Sequence, residues 1–570
     1  MNMRHPIDHP LRDARAMLLF GVAGERDLLR AAGLASAQGL PGLARALRLD
    51  ALESAPFSGE AAAAVVAAER EGASRDPRAA HARALLTAVQ DADPDVQGVG
   101  YFQRLVERRE GEKLLDFLAG RLARDAAPFW LHQAWHFGRF AAREGWLSAH
   151  LATHAAAGPV QNFVRAECAF GSGDHEAALS ALAAFLHEGE MAGWQRPRLL
   201  AAEALRRLGR REEAVRLFAA VLGQRPWDAG LWRTLHDLAL DVDRVRAALP
   251  GSLAVCLYSW NKAGPLAGTL EALLPAVSGA HVSGAHGSGE HAPGDVLVVL
   301  LDNGSTDETP EVARAFADRL GGRFASVRLP VNVGAAGARN WLSALPQVMA
   351  RDFVCFLDDD ALLPPDAFGL LGAAVAAQPE AFVWGAKVVD AAAPQIVQHA
   401  GQHLLLDEEG FRVDNPQARE PDRGRFDMLA PCATVTGCCH LFRAAELRAG
   451  GGFDIRLSPS QYDDLERDVR RGIQGGFAVC QGHLAVRHLK SSGAASRVER
   501  AAAANAAGNR LKLQALHPAA EVARLIAADL RRQEDDLAAK AARLAGLLPE
   551  LAPALKTLEN LGIVNGRDTP

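Results

Sequence analysis

The sequence lacks the features that would tie it to a membrane, an oxidising compartment or nucleic acid. No segment offers about 18 uninterrupted apolar residues, so no integral membrane segment is expected. The apolar stretch nearest the N-terminus, Ala16 to Val22, is too short and poorly placed for a secretory signal. Seven cysteines include no CxxC pair, which argues against structural zinc, and an odd number cannot pair completely. Six of them (Cys256, Cys355, Cys432, Cys438, Cys439 and Cys480) fall in the second half of the chain, several inside apolar runs, as small buried hydrophobes do. A reducing, cytoplasmic setting is expected. A net charge of −6 over 570 residues gives no electrostatic reason for nucleic acid or an anionic membrane as the main partner.

What is present reads as three parts. Apolar residues make up 49% and charged residues 23%, ordinary values for a globular chain. The length is too great for one core. Residues 1–248 are rich in Leu, Ala and Arg, poor in β-branched runs, and keep near-helical spacing at Leu28, Leu29, Leu34, Leu40, Leu43 and Leu47. Gly173-Asp174-His175-Glu176-Ala177-Ala178 recurs as Gly209-Arg210-Arg211-Glu212-Glu213-Ala214, 36 residues later, and Phe218, Val221 and Pro226 follow. Gly for the turn, Ala for close packing and Pro as a helix stop at this period resemble the tetratricopeptide repeat, over residues 160–232. A plain helical bundle is the alternative. Residues 498–570 are helical again and are expected to pack on one of the two larger parts.

Between them, residues 249–497 change pattern. Leu253 to Tyr258, Val296 to Leu301, Phe353 to Leu357 and Ala381 to Trp384 read as buried strands. Pro265 to Leu274, Thr309 to Leu320, Ala335 to Ala350 and Asp366 to Ala377 read as helices. This alternation predicts an α/β, Rossmann-like, mostly parallel sheet with ligands at the strands' C-terminal ends. Residues 277–294 hold two VSGAH copies and then GSGEHAPG, which read as a flexible loop; His281, His286 and His291 recur there without a convincing metal pattern.

Three of these strands run into polar clusters: Ser259-Trp260-Asn261, Asp302-Asn303-Gly304-Ser305-Thr306-Asp307, and Asp358-Asp359-Asp360. Asp302 stands where a carboxylate can accept a ligand N–H, and Asp307 suits a helix cap. Three adjacent carboxylates at the end of a buried strand repel one another unless a cation is near, and a divalent cation such as Mn²⁺ or Mg²⁺ would bridge them to phosphate oxygens.

Taken in order, these motifs resemble the inverting glycosyltransferases of family 2, which have the GT-A fold, over residues 253–493. The motif Asp302 to Asp307 corresponds to the family's base-contacting segment. Asn332-Val333-Gly334-Ala335-Ala336-Gly337-Ala338-Arg339 corresponds to its donor-lining motif, and Phe356 to Asp360 to its DxD motif. The resemblance then implies donor contacts from Ser259, Trp260, Asn261, Asp302, Asn332, Gly334, Arg339, Asp358 and Asp359. Asp360 and His488, the latter in Val486-Arg487-His488, would hold the metal. Asp463-Asp464 matches the acidic motif, with Asp464 as catalytic base, and Thr436-Gly437-Cys438-Cys439 lies under the acceptor. Tyr258 and Trp260 depart from the family's usual Pro and Tyr.

The resemblance implies a metal-dependent transfer from a UDP- or dTDP-sugar to a hydroxyl, with inversion. The helical half suggests a protein acceptor, since stacked helix pairs present concave surfaces. A glycan or lipid-linked acceptor is the alternative, and a helical scaffold carrying an inactive transferase domain is a second. No GxGxxG follows the first strand, which argues against a dinucleotide enzyme.

Overall fold

A computed structural model describes residues 13–70, 76–91, 96–124, 127–152, 154, 160–186, 193–277, 296–407, 410–414, 421–490 and 500–564. The histidine-bearing loop lies outside the described residues from position 278 on.

From Ala14 to Ala239 the described regular structure is helical. Helix Gln161–Gly171 pairs with His175–Leu186, and Gln195–Arg207 with Arg211–Gln224. The repeated glycines Gly173 and Gly209 sit at the turns with φ of +82° and +76°, a region closed to most side chains. Ala178 and Ala214 are fully buried where the paired helices approach.

Among the described residues the α/β part is built on twelve strands: β1 (Leu253–Ser259), β2 (Val296–Asp302), β3 (Phe324–Arg328), β4 (Phe353–Leu357), β5 (Ala361–Leu362), β6 (Val383–Asp390), β7 (Val397–His399), β8 (His403–Asp407), β9 (Gly410–Asp414), β10 (Leu429–Cys432), β11 (Cys439–Arg443) and β12 (Ala478–His488). Ten share one sheet, in the order β10-β12-β6-β11-β4-β1-β2-β3, with β5 on β12 and β7 on β6; β8 and β9 form a separate ribbon. Pairing is parallel through β3, β2, β1 and β4, and turns antiparallel where β11 enters between β4 and β6. The sheet is therefore mixed. Along β1, Leu253, Val255 and Leu257 pack with Leu266, Leu270 and Leu273 of helix Ala263–Val277, while Ala254 and Cys256 pack with Ala338 and Leu342 of helix Gly334–Ala344. Helices cover both faces, which is why β1, β2 and β4 are continuous apolar runs.

The C-terminal helices join both larger parts rather than one. In the 29-residue helix Ala519–Leu547, Val522, Leu525 and Ile526 pack with Leu404, Leu406 and Leu465, and further along Leu537, Ala541 and Leu544 enter the core of the N-terminal helices. A 29-residue helix is long enough, at about 1.5 Å per residue, to span two cores, a reach that composition does not reveal. The helical half also grips a segment of the α/β part directly. Arg423 pairs with Glu167 at 3.0 Å, and Arg206 reaches Asp427 at 2.6 Å. Among the described residues no helix is long and apolar enough to cross a membrane.

Candidate active site

The C-terminal ends of β1, β2 and β4 converge. The backbone N–H of Asn303 donates to the Ser259 carbonyl at 2.8 Å, tying the ends of β1 and β2 together. Asn261, held at φ +52°, donates its N–H to Ser305 Oγ at 3.0 Å and accepts from Thr306 N at 2.7 Å. Asp307 accepts from Ala263 N at 2.9 Å and from Thr309 N at 3.1 Å, so it tethers the starts of two helices, as a capping residue does. Asp302 is 3% exposed: Oδ1 accepts from Ser305 N at 2.8 Å, whereas buried Oδ2 takes part in no hydrogen bond, with the Arg328 guanidinium 3.2 Å away. The Arg328 charge offsets part of the cost of burying this oxygen, and its lone pairs can still accept a ligand N–H.

The loop beyond β3 closes on this corner. Asn303 Oδ1 accepts from Val333 N at 2.9 Å, and Asn332 Oδ1 accepts from Gly334 N at 2.8 Å. Gly304 has φ +80°, and a Cβ there would stand 2.8 Å from the Val331 carbonyl carbon. Gly304→Ala is expected to combine left-handed strain of about 1–3 kcal/mol with displacement of residues 331–332. A fallen melting temperature with weakened nucleotide binding would be the sign; an unchanged variant would mean the turn yields freely.

The acidic run after β4 carries its own counter-charges. Ser259 Oγ donates to Asp359 at 2.7 Å. Lys262 Nζ donates to Asp359 Oδ1 at 2.8 Å and to Asp360 Oδ2 at 2.9 Å. His488 Nε2 lies 2.9 Å from Asp360 Oδ1. Burial opposes ionisation of Asp360, but the His488 hydrogen bond and the Lys262 charge outweigh it and hold its pKa well below the carboxylate range. The same pair raises the pKa of His488 against the effect of burial. Burial pushes Asp358 up to about 6, outweighing Arg339, and raises Asp359 despite Lys262. The electrostatic demand of three adjacent carboxylates is thus met in part by side chains. Lys262 went unread in the sequence, although it directly follows the Ser259 to Asn261 cluster.

Arg339 links this cluster to the acidic motif. It is 4% exposed, forms an ion pair with Asp463, lies 3.5 Å from Asp358, and stacks over Tyr258 and Phe453. Burial raises the pKa of Asp463 even beside Arg339. Asp464, in the first turn of helix Asp463–Ile473, accepts from Gly437 N at 2.7 Å and from its neighbour Leu465 N at 2.8 Å. Burial would raise its pKa, but Arg339, His440 and these two N–H groups bring it below the ordinary value. Trp260 is half exposed at 51%.

The site residues expected from the sequence therefore gather around the ends of β1, β2 and β4, the start of helix Asp463–Ile473 and the end of β12. A divalent cation is compatible with the donors present: one ligand atom each from Asp358, Cys438 and His488 lie within 4.8 Å of one another. Both Asp360 oxygens are already engaged, by Lys262 and His488. The sequence places Cys438 under the acceptor, and the structure adds that its thiol lies beside Asp358 and His488. All seven cysteines are free and buried.

Comparison with known proteins finds similarity in the α/β part. The family described as Glycosyl transferase family 2 matches residues 255–445. The succinoglycan biosynthesis protein ExoU of Rhizobium meliloti (strain 1021) is 30% identical over 189 residues, which cover 32% of this chain and 49% of that protein. The chain thus spans about half the length of this curated relative. Among solved structures, similarity is found to GalNAc-T7 with UDP, GalNAc and Mn²⁺ (TM-score 0.36, 12% identity, 55% of each chain). It is also found to the mannosyltransferase PcManGT of Pyrobaculum calidifontis with GDP-Man and Mn²⁺ (TM-score 0.33, 18% identity, 61% of this chain and 90% of that one). A third is S. aureus TarS (TM-score 0.30, 16% identity, 53% and 43%). Residues 255–445 thus match the model of glycosyl transferase family 2, and they are set between helical segments that the match does not include.

Proposed function

We propose that the chain is an inverting glycosyltransferase that moves a sugar from a UDP- or dTDP-sugar to an acceptor hydroxyl. The observation that carries the reading is Asp302 Oδ2: a buried carboxylate oxygen with an ion-pair contact to Arg328 but no hydrogen bond, at the end of a parallel strand in the family-matched segment. A pyrimidine imide N–H is a donor of the right kind for it. Asn332 and Gly334 close the loop beside it, and Arg339 fixes the acidic motif. His488 and the carboxylates from Asp358 to Asp360 would hold a divalent cation, Mn²⁺ or Mg²⁺, whose chemistry is to neutralise the charge gained by the departing diphosphate. Asp464 would take the proton of the acceptor hydroxyl, allowing direct displacement with no covalent enzyme intermediate.

The acceptor is proposed to be a protein, on the strength of the paired helices of residues 160–232. A glycan acceptor is the second reading, favoured by the relative's role in succinoglycan biosynthesis. Transfer of labelled sugar to protein or to oligosaccharide separates the two.

Calorimetric titration of UDP, dTDP and GDP, each with and without Mn²⁺, tests the donor site. Binding of UDP or dTDP in preference to GDP is expected. Asp302→Asn should weaken that binding about 10- to 100-fold, since a hydrogen bond to a charged group contributes about 1.5–3 kcal/mol. If no nucleotide binds, the transferase reading fails and the helical half becomes the working part.

A further inference from the structure

We infer that the cation at this site is held by sulfur as well as by oxygen and nitrogen, with Asp358, Cys438 and His488 as ligands, and that a borderline-soft ion such as Zn²⁺ or Co²⁺ fits this donor set in place of the Mn²⁺ or Mg²⁺, and of the Asp360 ligand, of the preceding reading. The inference deepens the transferase reading and rests on it only for the cation's place in the reaction.

Sheet register places the three donors. In the antiparallel pairing of β4 with β11, Leu357 stands opposite Cys439. The residue after Leu357 must then face the residue before Cys439, and the Asp358 N–H indeed donates to the Cys438 carbonyl at 3.1 Å. On the other side, β12 pairs with β5 so that His488 opposes Ala361, and Leu489 N donates to the Asp360 carbonyl at 2.8 Å. Backbone pairing therefore brings together the strand ends that carry a carboxylate, a thiol and an imidazole, and one ligand atom of each lies within 4.8 Å of the others. Cys438 is 3% exposed, so its thiol is sheltered from solvent there. Cys439, the next residue, turns instead to Cys355.

The imidazole is also oriented as a ligand. Gln398 is 8% exposed, and its side-chain NH₂ donates to the Lys490 carbonyl at 2.9 Å. That fixes the amide orientation and leaves Oε1 to accept from His488 Nδ1, 2.8 Å away. With the Nδ1 proton held by Gln398, Nε2 is the nitrogen that faces the carboxylates and Cys438, the arrangement seen when an outer partner sets a metal-binding tautomer. A thiolate adds the soft donor that Mg²⁺ does not seek and Zn²⁺ does. Three protein ligands leave a coordination position open for a substrate oxygen. On binding, the Cys438 S–H and the proton shared by His488 and Asp360 pass to solvent.

Affinity order alone does not test this, because Zn²⁺ outranks Mn²⁺ at most sites. Sulfur coordination does. The experiment is zinc K-edge X-ray absorption of the full-length wild-type chain with one equivalent of Zn²⁺. One sulfur scatterer at about 2.3 Å, with nitrogen and oxygen at about 2.0–2.2 Å, is expected. Cys438→Ser should lose the sulfur shell and Cys439→Ser should keep it. A shell of only oxygen and nitrogen in the wild type, no zinc uptake, or a sulfur shell that survives Cys438→Ser overturns the inference. The wild-type spectrum decides even if the serine variant does not fold. Nucleotide calorimetry reads the transferase proposal separately: a sulfur shell without nucleotide binding keeps the metal site and removes the transferase.

Discussion

Asp464→Asn is expected to lower turnover by about 10²- to 10⁴-fold, the usual contribution of a positioned general base, while nucleotide affinity stays within about twofold. Two adjacent carboxylates compete for the role, and their surroundings separate them. Asp463 is 2% exposed and its Oδ2 is committed to Arg339, which makes it the poorer candidate to take a proton from an acceptor. Its work is to hold Arg339 between the acidic motif and Asp358. Asp464 is less buried, and its two backbone N–H partners leave lone pairs for an incoming hydroxyl. Its depressed pKa keeps it ionised below the ordinary carboxylate value of about 3.9, so the acid limb of the pH–rate profile should lie lower than that of an unassisted aspartate. Asparagine has one oxygen where aspartate uses two, so one of the N–H groups of Gly437 and Leu465 will lose its partner. A melting curve alongside the kinetics separates that local cost from loss of the base. Turnover within about tenfold of wild type would place the base elsewhere.

How far the sequence could be read follows from where physics leaves a local trace. Strands β1, β2 and β4 were legible because both faces are buried and their residues form unbroken apolar runs. Their polar ends were legible because carboxylates crowd there. The β3 strand, Phe-Ala-Ser-Val-Arg, was passed over: at the sheet edge its residues alternate between burial and exposure, and a five-residue alternation is a weak signal. Nor was β12 read as a strand, since Gly482 and His483 interrupt it and its pairing with β6 shifts register between Gln481 and Ala485. In the site, Lys262, Gln398 and the ligand geometry of Cys438 depend on pairings between residues far apart in the chain, such as Gln398 with His488 and Lys262 with Asp359, 90 and 97 positions apart. Nothing local marks them. The paired helices around Gly173 and Gly209 left a repeat in the sequence, but the grip of the helical half on residues 421–427 left none.

That grip should make Asp427→Asn costly for stability. Asp427 accepts from Lys387, an otherwise buried ammonium on strand β6, and from Arg206 at 2.6 Å, and Arg206 continues to the fully buried Glu203. Removing the central charge leaves two cations facing a neutral amide. Lys387 keeps Asp422 at 2.7 Å and Arg206 keeps Glu203, so the loss belongs at the lower end of the range for broken buried pairs, about 3 kcal/mol. The pH dependence identifies the cause. Burial opposes ionisation of Asp427, but Lys387 and Arg206 outweigh it and hold its pKa far below the carboxylate range. A depressed folded pKa means the contribution is complete above the unfolded value of about 3.9 and is lost as pH falls through the folded value. Wild type and variant should therefore differ most near neutrality and converge on acidification. A difference that stays constant with pH would assign the loss to packing. Because the network runs from helix Gln195–Arg207 to strand β6, the variant should also split the thermal transition, with helical half and sheet unfolding apart. A single transition, merely shifted, would mean that the remaining links, helix Ala519–Leu547 packed into both cores and the Arg423–Glu167 pair among them, suffice to keep them one cooperative unit.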